Sequence, residues 1–335
     1  MTPTDNEPLE YVVGELARER ERLRTGKQFA DADKIRKQIE SHGYEVVDGK
    51  DGSLVKKKGS DENKALIPPG NTPGLVGIFG SGEMSPTGRQ IHEYLIKDRK
   101  TPINIALLET PAGYEVNPHH WYKKLEAMLL IGLQNYKPTI SRIEALRLDC
   151  PGGTNDPDAV KSLMFADYIH TGAGSPSYAA RHLQNSLVYE GLCKKNDEGV
   201  PISLASAAAV AFGTYLLPVY ELYFVGEDPF WKEGLHFYER MGLNITIVPH
   251  WNNTEGGKEI DTTRCYMGKK RFSTLLDMLP GATTIVGIDE HTALVFDPQR
   301  QECVVKGVGS VVVLKKGKEV HFSSDQRFSF DVLKI

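Results

Sequence analysis

Short apolar runs alternate with the patterns of amphipathic helices through most of the chain. The apolar runs predict strands over residues 75–79, 103–108 and 168–171, and near residues 200, 245 and 284. Between them, apolar residues at helical spacing predict helices over residues 87–97, 119–130 and 178–192, and a later helix is expected from about residue 261 to residue 279. Strands and helices that alternate in this way are typical of α/β proteins with a mainly parallel sheet flanked by helices. This is the fold class that the sequence predicts for residues 74–335.

The end of the chain has a different pattern. Apolar runs over residues 292–296, 303–305, 310–314 and 319–322 follow one another with only brief polar interruptions. Because such short connections join antiparallel neighbours, these runs predict short antiparallel strands that finish the fold.

The first part of the chain predicts a small separate unit. Apolar residues recur at helical spacing from Pro8 to Arg24, and a second short helix is expected over residues 29–41. Two short runs then flank the turn sequence Asp48–Gly52, which predicts a β-hairpin. The next stretch is rich in charge, glycine and proline, which is typical of a linker. We therefore expect a helix-helix-hairpin domain over residues 8–58, a linker over 59–73 and an α/β domain over 74–335.

Composition limits the classes of protein to which the chain can belong. Of its 335 residues, 40% are hydrophobic and 25% are charged, which is enough to form a folded core. The formal net charge of -4 gives no general reason to expect a nucleic-acid or membrane partner. No apolar run approaches the ~20 residues that span a bilayer, and the N-terminus lacks the pattern of a signal peptide. The four scattered cysteines show no disulfide pattern, so we expect a cytoplasmic protein.

Two polar residues stand where strands are predicted to end. Ser206 follows the apolar run 200–205 and precedes alanines that begin a helix, and His250 ends the run 245–249. A serine on a strand-to-helix turn, with an imidazole at the end of a neighbouring strand, is an arrangement that activates a hydroxyl for acyl transfer. Each residue also has a simpler interpretation, as a helix N-cap for Ser206 and as a hydrogen-bonded strand end for His250.

A serine nucleophile needs a base, and the base needs an acid that fixes its tautomer. The candidate acids between the serine and the histidine are Glu221, Glu227 and Asp228. We favour Glu221 as the acid because it opens the apolar run 222–225.

Loops at the predicted strand ends supply candidate binding residues. The backbone N–H groups of Gly174 and Ala207 are candidates for an oxyanion hole, since both follow strands and precede helices. A tight turn without a ligand explains the Gly174 loop as well. Asn252 lies in a polar loop, and Arg264 is suited to hold a substrate carboxylate or to pair with a neighbouring acid. With Glu290, they form the predicted set of substrate contacts.

The sequence predicts neither a cofactor nor a metal. Gly80-Ser81-Gly82 follows a predicted strand, but it lacks the third glycine of a dinucleotide-binding motif and the Gly-Lys-Ser/Thr ending of a phosphate-binding loop. His119, His120 and the separated cysteines do not have the spacing of metal ligands.

Several of these segments resemble the serine peptidase family that contains dipeptidase E and cyanophycinase. The likeness covers about residues 74–330 and rests on the Gly172 loop, on Val248-Pro249-His250-Trp251 with the following glycines and Thr263-Arg264, and on Ile285–Leu294. It implies a fold like that of class I glutamine amidotransferases. It also implies that Ser206 is the nucleophile, that His250 is the base and that Glu221 lies near the acidic third member.

The resemblance is incomplete at the Ser206 turn. The family usually carries Gly-x-Ser-Ala-Gly-Ala there, whereas this chain has Leu204-Ala205-Ser206-Ala207-Ala208-Ala209. Both glycines of the turn are replaced, and glycine relieves crowding around a strained nucleophile. Leu204 is therefore expected to place a larger side chain behind the turn.

Residues 16–57 are similar to the C-terminal tail module of cysteinyl-tRNA synthetase. The order of Gly26–Arg36, Gly43–Asp48 and Gly52-Ser53 carries this likeness. In the synthetase the module serves the anticodon end of the tRNA, which implies phosphate contacts for the basic residues Arg18, Arg22, Arg24, Lys27, Lys34, Arg36 and Lys37. A solvated helical face explains the same charges, because acidic residues are nearly as numerous. The sequence has no synthetase catalytic motif.

Together these features predict a serine hydrolase that cleaves an amide bond in a small peptide-like substrate without a cofactor. The alternative is an inactive hydrolase-like protein that binds tRNA or another RNA through its N-terminal module. Glutamine amidotransferase activity is a weaker third interpretation, because that chemistry uses cysteine where this chain has Ser206. The sequence does not fix the oligomeric state, and a homodimer is compatible with it.

Overall fold

The computed structural model describes residues 27–49, 52–57 and 73–334, together with the helical residues Val13, Leu16, Ala17, Arg20, Leu23 and Arg24. The chain divides into two compact units, Met1–Thr72 and Pro73–Ile335. The predicted linker lies outside the described residues, apart from Pro73.

The described part of the first unit consists of helical residues and a hairpin. Helix α1 (Phe29–Ser41) precedes strands β1 (Tyr44–Gly49) and β2 (Gly52–Lys57), which pair in antiparallel register. One small core holds these elements together, and its buried side chains are Val13, Ala17, Ile39, Tyr44, Val46 and Val55.

Basic side chains of the first unit converge on one acidic residue. Arg20, Arg24 and Arg36 each lie within 3.4 Å of the Asp48 carboxylate, and Lys34 pairs with Asp31 at 2.7 Å. Three of the residues predicted to contact phosphate, Arg24, Lys34 and Arg36, therefore form ion pairs inside the unit. Binding of RNA by this unit stays a prediction.

The second unit contains an eight-stranded sheet with helices on both faces. Its strands, together with those of two smaller sheets, are β3 (Val76–Phe79), β4 (Ile103–Leu108), β5 (Pro138–Ile143), β6 (Tyr168–Thr171), β7 (Ile202–Ala205), β8 (Tyr215–Leu216), β9 (Lys232–Glu233), β10 (Ile245–Val248), β11 (Thr284–Ile288), β12 (Thr292–Asp297), β13 (Glu302–Gly307), β14 (Ser310–Lys315), β15 (Lys318–Ser323) and β16 (Arg327–Ser329). The helices are α2 (Pro86–Ile96), α3 (His119–Gly132), α4 (Pro157–Met164), α5 (Pro176–Leu183), α6 (Leu187–Asp197), α7 (Ala207–Ala211) and α8 (Gly268–Met278).

The main sheet has the strand order β16-β13-β12-β3-β7-β6-β4-β5. Strands β3, β7, β6, β4 and β5 are parallel, and β12, β13 and β16 extend the sheet in antiparallel register. Successive residues of β3 enter two different cores, with Ile78 on the side of α5, α6 and α7 and Phe79 on the side of α2 and α3. A mainly parallel sheet with helices packed on both faces is the predicted architecture, so the α/β fold class is confirmed.

Strands β10 and β11 differ from the prediction, which placed them in the same alternating series. They form a second sheet with the order β10-β11-β14-β15. The position next to β3 in the main sheet is occupied by β12, where Ala293 lies opposite Phe79. Because that position is filled, β10 and β11 pair with each other, and β11 pairs with β14.

Two predicted helices have different bounds. The helix expected over residues 178–192 is divided into α5 and α6 by Asn185, which has a positive φ of 56°, and by Ser186, which caps α6 through the N–H of Tyr189. The helix expected from about residue 261 begins only at Gly268, since Arg264, Cys265 and Tyr266 all have positive φ angles.

A chain of buried polar side chains crosses the sheet face that packs on α2. The Tyr168 hydroxyl is hydrogen-bonded to His92 Nδ1 (2.5 Å) and to Ser203 Oγ (2.6 Å), and Ser203 Oγ also contacts His170 Nδ1 (2.7 Å). The carbonyl oxygen of Glu83 accepts a hydrogen bond from His92 Nε2 (3.1 Å). Burial lowers the pKa of His92 to about 4 and holds that of His170 well below its usual range, so both imidazoles are neutral at neutral pH.

These neutral histidines make the stability of the fold depend on pH. Below about pH 6.5, the unfolded chain binds a proton at His92 that the folded chain does not bind until about pH 4. We therefore expect the free energy of unfolding to fall on acidification, with His92 alone accounting for roughly 3 kcal/mol by pH 4. Urea unfolding at pH 7, 6, 5 and 4 measures this dependence.

The comparison variants are His92→Asn and His321→Asn. His92→Asn should reduce the dependence between pH 6.5 and pH 4, whatever its effect on stability at pH 7. His321 is exposed, so His321→Asn should retain the dependence of the unaltered protein. Equal pH dependence in the two variants would contradict the assignment.

Candidate active site

Ser206 occupies a strained turn at the carboxyl end of β7. Strand β7 lies between β3 and β6 in the main sheet, and α7 begins directly after Ser206. The serine has φ 48° and ψ -111°, in a region that side-chain-bearing residues rarely adopt. Such a turn projects a hydroxyl from the edge of a sheet, as in a nucleophile elbow.

The missing glycines of the turn do not prevent this geometry. Leu204 points into the core shared with α5 and α6, because alternate residues of β7 face opposite sides of the sheet. Ala208 is also fully buried in that core. The Leu204 side chain, which was expected behind the turn, therefore packs in the core on one face of the sheet.

His250 follows β10 and reaches Ser206 from the second sheet. Its Nε2 lies 3.1 Å from Ser206 Oγ. The backbone of His250 has φ 50° and is fixed on both sides, because its N–H donates to the carbonyl oxygen of Gly80 (3.1 Å) and its carbonyl oxygen accepts from the N–H of Cys265 (3.2 Å). The predicted pairing of serine and imidazole is therefore present as a hydrogen-bonded contact.

Glu290 is the acid that contacts His250. Its Oε1 accepts hydrogen bonds from His250 Nδ1 (2.9 Å) and from Asn253 Nδ2 (2.9 Å). The backbone N–H of Glu290 donates to Asn252 Oδ1 (2.8 Å), which fixes the start of the loop after β11. Glu290 and Asn252, both predicted as substrate contacts, therefore hold the histidine and the loop that carries the acid.

Glu221 does not occupy the predicted position beside the histidine. It lies in a π-helix (Tyr220–Val225), where its Oε1 pairs with Lys232 Nζ at 2.5 Å. Burial opposes ionisation of this carboxyl, but the hydrogen bond from Lys232 helps to lower its pKa. Glu221 thus ties the π-helix to β9, and Glu290 has the position at His250 that was predicted for Glu221.

The charges around the histidine favour an ionised Glu290. The hydrogen bond from His250 lowers the pKa of the Glu290 carboxyl. Partial burial raises this pKa, and the hydrogen bond from Asn253 lowers it further. Glu83 is different, because it is only 4% exposed and burial raises its pKa. The site therefore combines an ionised carboxylate at the histidine with a buried carboxyl group in the loop after β3.

The loop after β6 lies next to the Ser206 turn. Thr171 is opposite Leu204 in the sheet, and a Cβ on Gly172 would lie 3.6 Å from the Cβ of Ala205. The N–H of Gly172 donates to the Tyr122 hydroxyl at 3.3 Å. Gly174 has φ 145°, and a Cβ there would lie 2.0 Å from the carbonyl oxygen of Pro111, so only glycine permits this approach.

Arg264, which is predicted to contact a substrate carboxylate, contacts Trp251 in the structure. Its guanidinium stacks on the Trp251 ring at 3.7 Å from the centroid, and its Nη1 donates to the carbonyl oxygen of Trp251 (3.2 Å). Burial lowers its pKa. The side chain therefore supports the segment that holds His250.

Sequence reasoning missed the role of Glu290 and the presence of Asn253 in the site. Both follow from the pairing of β10 with β11, because adjacent parallel strands bring the residues after them to one edge. The two apolar runs were visible in the sequence, but their adjacency was not. In the described part of the chain, no group of three or more His, Cys, Asp or Glu side chains is placed to hold a metal ion.

None of the described helices has the length and apolar character needed to cross a bilayer.

The structure is similar to those of two proteins described as peptidases. One is the crystal structure of a peptidase from an acI-B1 Actinobacterium, with a TM-score of 0.63 and 23% sequence identity over 78% of this chain and 98% of that chain. The other is a protein from Listeria monocytogenes EGD-e assigned as a peptidase E, with a TM-score of 0.45 and 9% identity over 75% of this chain and 98% of that chain. No protein-family model and no curated protein matches the chain. The first similarity shows that this protein has the fold of that Actinobacterium peptidase.

Proposed function

We propose that this protein is a serine-type hydrolase that cleaves an amide bond in a peptide or isopeptide. One observation carries the proposal: hydrogen bonds join Ser206 Oγ to His250 Nε2 at 3.1 Å and His250 Nδ1 to Glu290 Oε1 at 2.9 Å. A hydroxyl, an imidazole and a carboxylate in this order are the groups that acyl transfer requires.

The first half of the reaction forms an acyl-enzyme. Ser206 Oγ attacks the amide carbon while His250 Nε2 accepts the hydroxyl proton. The imidazolium then gives this proton to the leaving nitrogen, and the C–N bond breaks to release an amine. The Ser206 ester remains.

The second half returns the enzyme to its starting state. Water attacks the ester carbon and loses a proton to His250 Nε2. The carbon–Oγ bond breaks, His250 returns the proton to Ser206, and the product leaves as a carboxylic acid. The N–H groups of Gly174 and Ala207 are the proposed donors to the oxyanion in both halves.

Glu290 acts through the histidine. Its carboxylate keeps the proton of the neutral imidazole on Nδ1, which leaves Nε2 free to accept the proton of Ser206. It also stabilises the imidazolium that forms in each half. The hydrogen bond from Asn253 holds the carboxylate in position for this role.

The fold supports the proposal independently of these distances. Ser206 lies at the carboxyl end of a central parallel strand, where ligands bind in open α/β sheets. The Actinobacterium protein with the same fold is described as a peptidase.

Activation of Ser206 can be measured directly with a fluorophosphonate probe. We expect the probe to label the unaltered protein and to leave Ser206→Ala unlabelled, because only a hydroxyl paired with a base reacts rapidly. His250→Ala should reduce the labelling rate by at least about 10³-fold. Mass spectrometry of the labelled peptide identifies the modified residue.

Two matched variants serve as controls. Ser162→Ala removes an exposed hydroxyl in α4 that donates to the carbonyl oxygen of Asp158. His236→Ala removes a histidine whose ring nitrogens contact Glu233 and Glu239. Both should be labelled at the rate of the unaltered protein. Labelling of Ser206→Ala at that rate would end the proposal.

The identity of the acid is tested by a pair of isosteric variants. Glu290→Gln should lower the labelling rate by roughly 10³–10⁴-fold, because an amide no longer fixes the tautomer or stabilises the imidazolium. Glu221→Gln should keep the rate within a few-fold, since its carboxylate pairs with Lys232. The opposite result would restore Glu221 as the acid and remove Glu290 from the proposal.

A further inference from the structure

Six aromatic rings form a continuous series of contacts that begins at His250. In order, the rings belong to Tyr266, Tyr223, Phe224, Tyr220, Tyr114 and Tyr178, and we call this series the aromatic arc. Tyr266 lies 5.8 Å from the His250 ring, and successive centroids within the arc are 5.0 to 5.8 Å apart. These separations are those of favourable aromatic pairs.

The two ends of the aromatic arc contact two parts of the candidate site. At one end, Tyr266 contacts the proposed base. At the other, the N–H of Tyr178 donates to Ser175 Oγ (3.3 Å), one residue beyond Gly174. The arc therefore extends from the histidine to the loop proposed to hold the oxyanion.

The arc presents apolar surface to solvent. Phe224 is 68% exposed, Tyr114 is 38% exposed, and the adjoining Val225 is 71% exposed. Exposed apolar groups that form one continuous surface mark binding sites more often than isolated ones do. The arc is also held in place, because the hydroxyls of Tyr114 and Tyr220 are hydrogen-bonded at 2.7 Å and the Glu221–Lys232 pair anchors the π-helix.

A cavity opens between residues 112–121, the segment that contains Tyr114, and the loop after β6. Its volume is about 530 Å³, and its lining combines the apolar residues Ala112, Val116, Trp121 and Ala173 with three polar residues that include Glu115 and His120. Ala173 lies between Gly172 and Gly174, so the cavity borders the proposed oxyanion site. A volume of this size lies in the range of pockets that bind small ligands, which is about 300–1,000 Å³.

The charges near the arc disfavour an acidic side chain. Glu115 lines the cavity and accepts a hydrogen bond from the Tyr114 hydroxyl (3.3 Å), and Glu255 accepts one from the Tyr266 hydroxyl (3.1 Å). A further carboxylate beside Tyr114 or Tyr266 would meet the like charge of Glu115 or Glu255.

We propose that the aromatic arc and the cavity bind a large apolar or aromatic side chain next to the scissile amide. The inference rests on the proposed function and names its substrate class: peptides with such a residue at the cleaved bond, in preference to peptides with an acidic residue there. Burial of the side chain against preformed rings supplies the binding free energy.

The experiment measures binding to Ser206→Ala, so that cleavage is not required. Short blocked peptides of identical length carry Phe, Leu, Asp or Lys at one position, and calorimetry gives each Kd. We expect the Phe and Leu peptides to bind at least about tenfold more tightly than the Asp peptide. Adding Phe224→Ala should remove most of this difference, and Phe224→Leu should retain it.

Phe165 provides the matched control. It is 63% exposed and precedes β6, so it lies near the amino ends of the parallel strands, whereas Ser206 lies at their carboxyl ends. Phe165→Ala in the same background should leave every Kd unchanged.

The outcomes separate the two proposals. Equal affinity for the Phe and Asp peptides, or no binding by either, would overturn the assignment of the arc. Failure of the probe to label the unaltered protein would instead overturn the proposed hydrolase. Labelling without apolar preference would leave the hydrolase intact and remove this substrate class.

Discussion

The contact between Ser206 and His250 is the interaction on which the site depends, because it joins two different sheets. Ser206 is held by β7 of the main sheet, and His250 follows β10 of the second sheet. Gly80 links them, since its carbonyl oxygen accepts from His250 and its N–H donates to the carbonyl oxygen of Thr292. A Cβ on Gly80 would lie 2.1 Å from the carbonyl oxygen of Asp289, next to the acid Glu290. The three side chains therefore share one backbone junction.

Backbone strain is concentrated around this junction. Ser206 and His250 have positive φ angles, as do the consecutive residues Arg264, Cys265 and Tyr266. Left-handed conformations of this kind cost roughly 1–2 kcal/mol per residue. Hydrogen bonds from the N–H groups of Arg264 and Cys265 to the carbonyl oxygens of Trp251 and His250 help to stabilise them. The same turn places Tyr266 against the histidine, so it serves both the base and the aromatic arc.

Glu221 was predicted to contact His250, but its side chain contacts Lys232. Its ion pair with Lys232 fixes the π-helix that carries Tyr220, Tyr223 and Phe224. The carboxylate thus supports the surface proposed to bind substrate, while Glu290 contacts the histidine. We therefore expect removal of Glu290 to affect proton transfer, and removal of Glu221 to affect the surface proposed to bind substrate.

The sequence by itself determined the class of the fold, and it predicted Ser206 and His250, whose side chains the structure joins by a hydrogen bond. Apolar runs separated by helical patterns are local features, and so are the strand ends that carry Ser206 and His250. Tertiary structure decided which acid reaches His250, because this depends on β10 pairing with β11, at a separation of some forty residues along the chain. It also decided the aromatic arc, whose members come from three distant segments near residues 114, 178 and 220–266. Contacts between such segments are set by packing of the whole domain, which local periodicity does not encode.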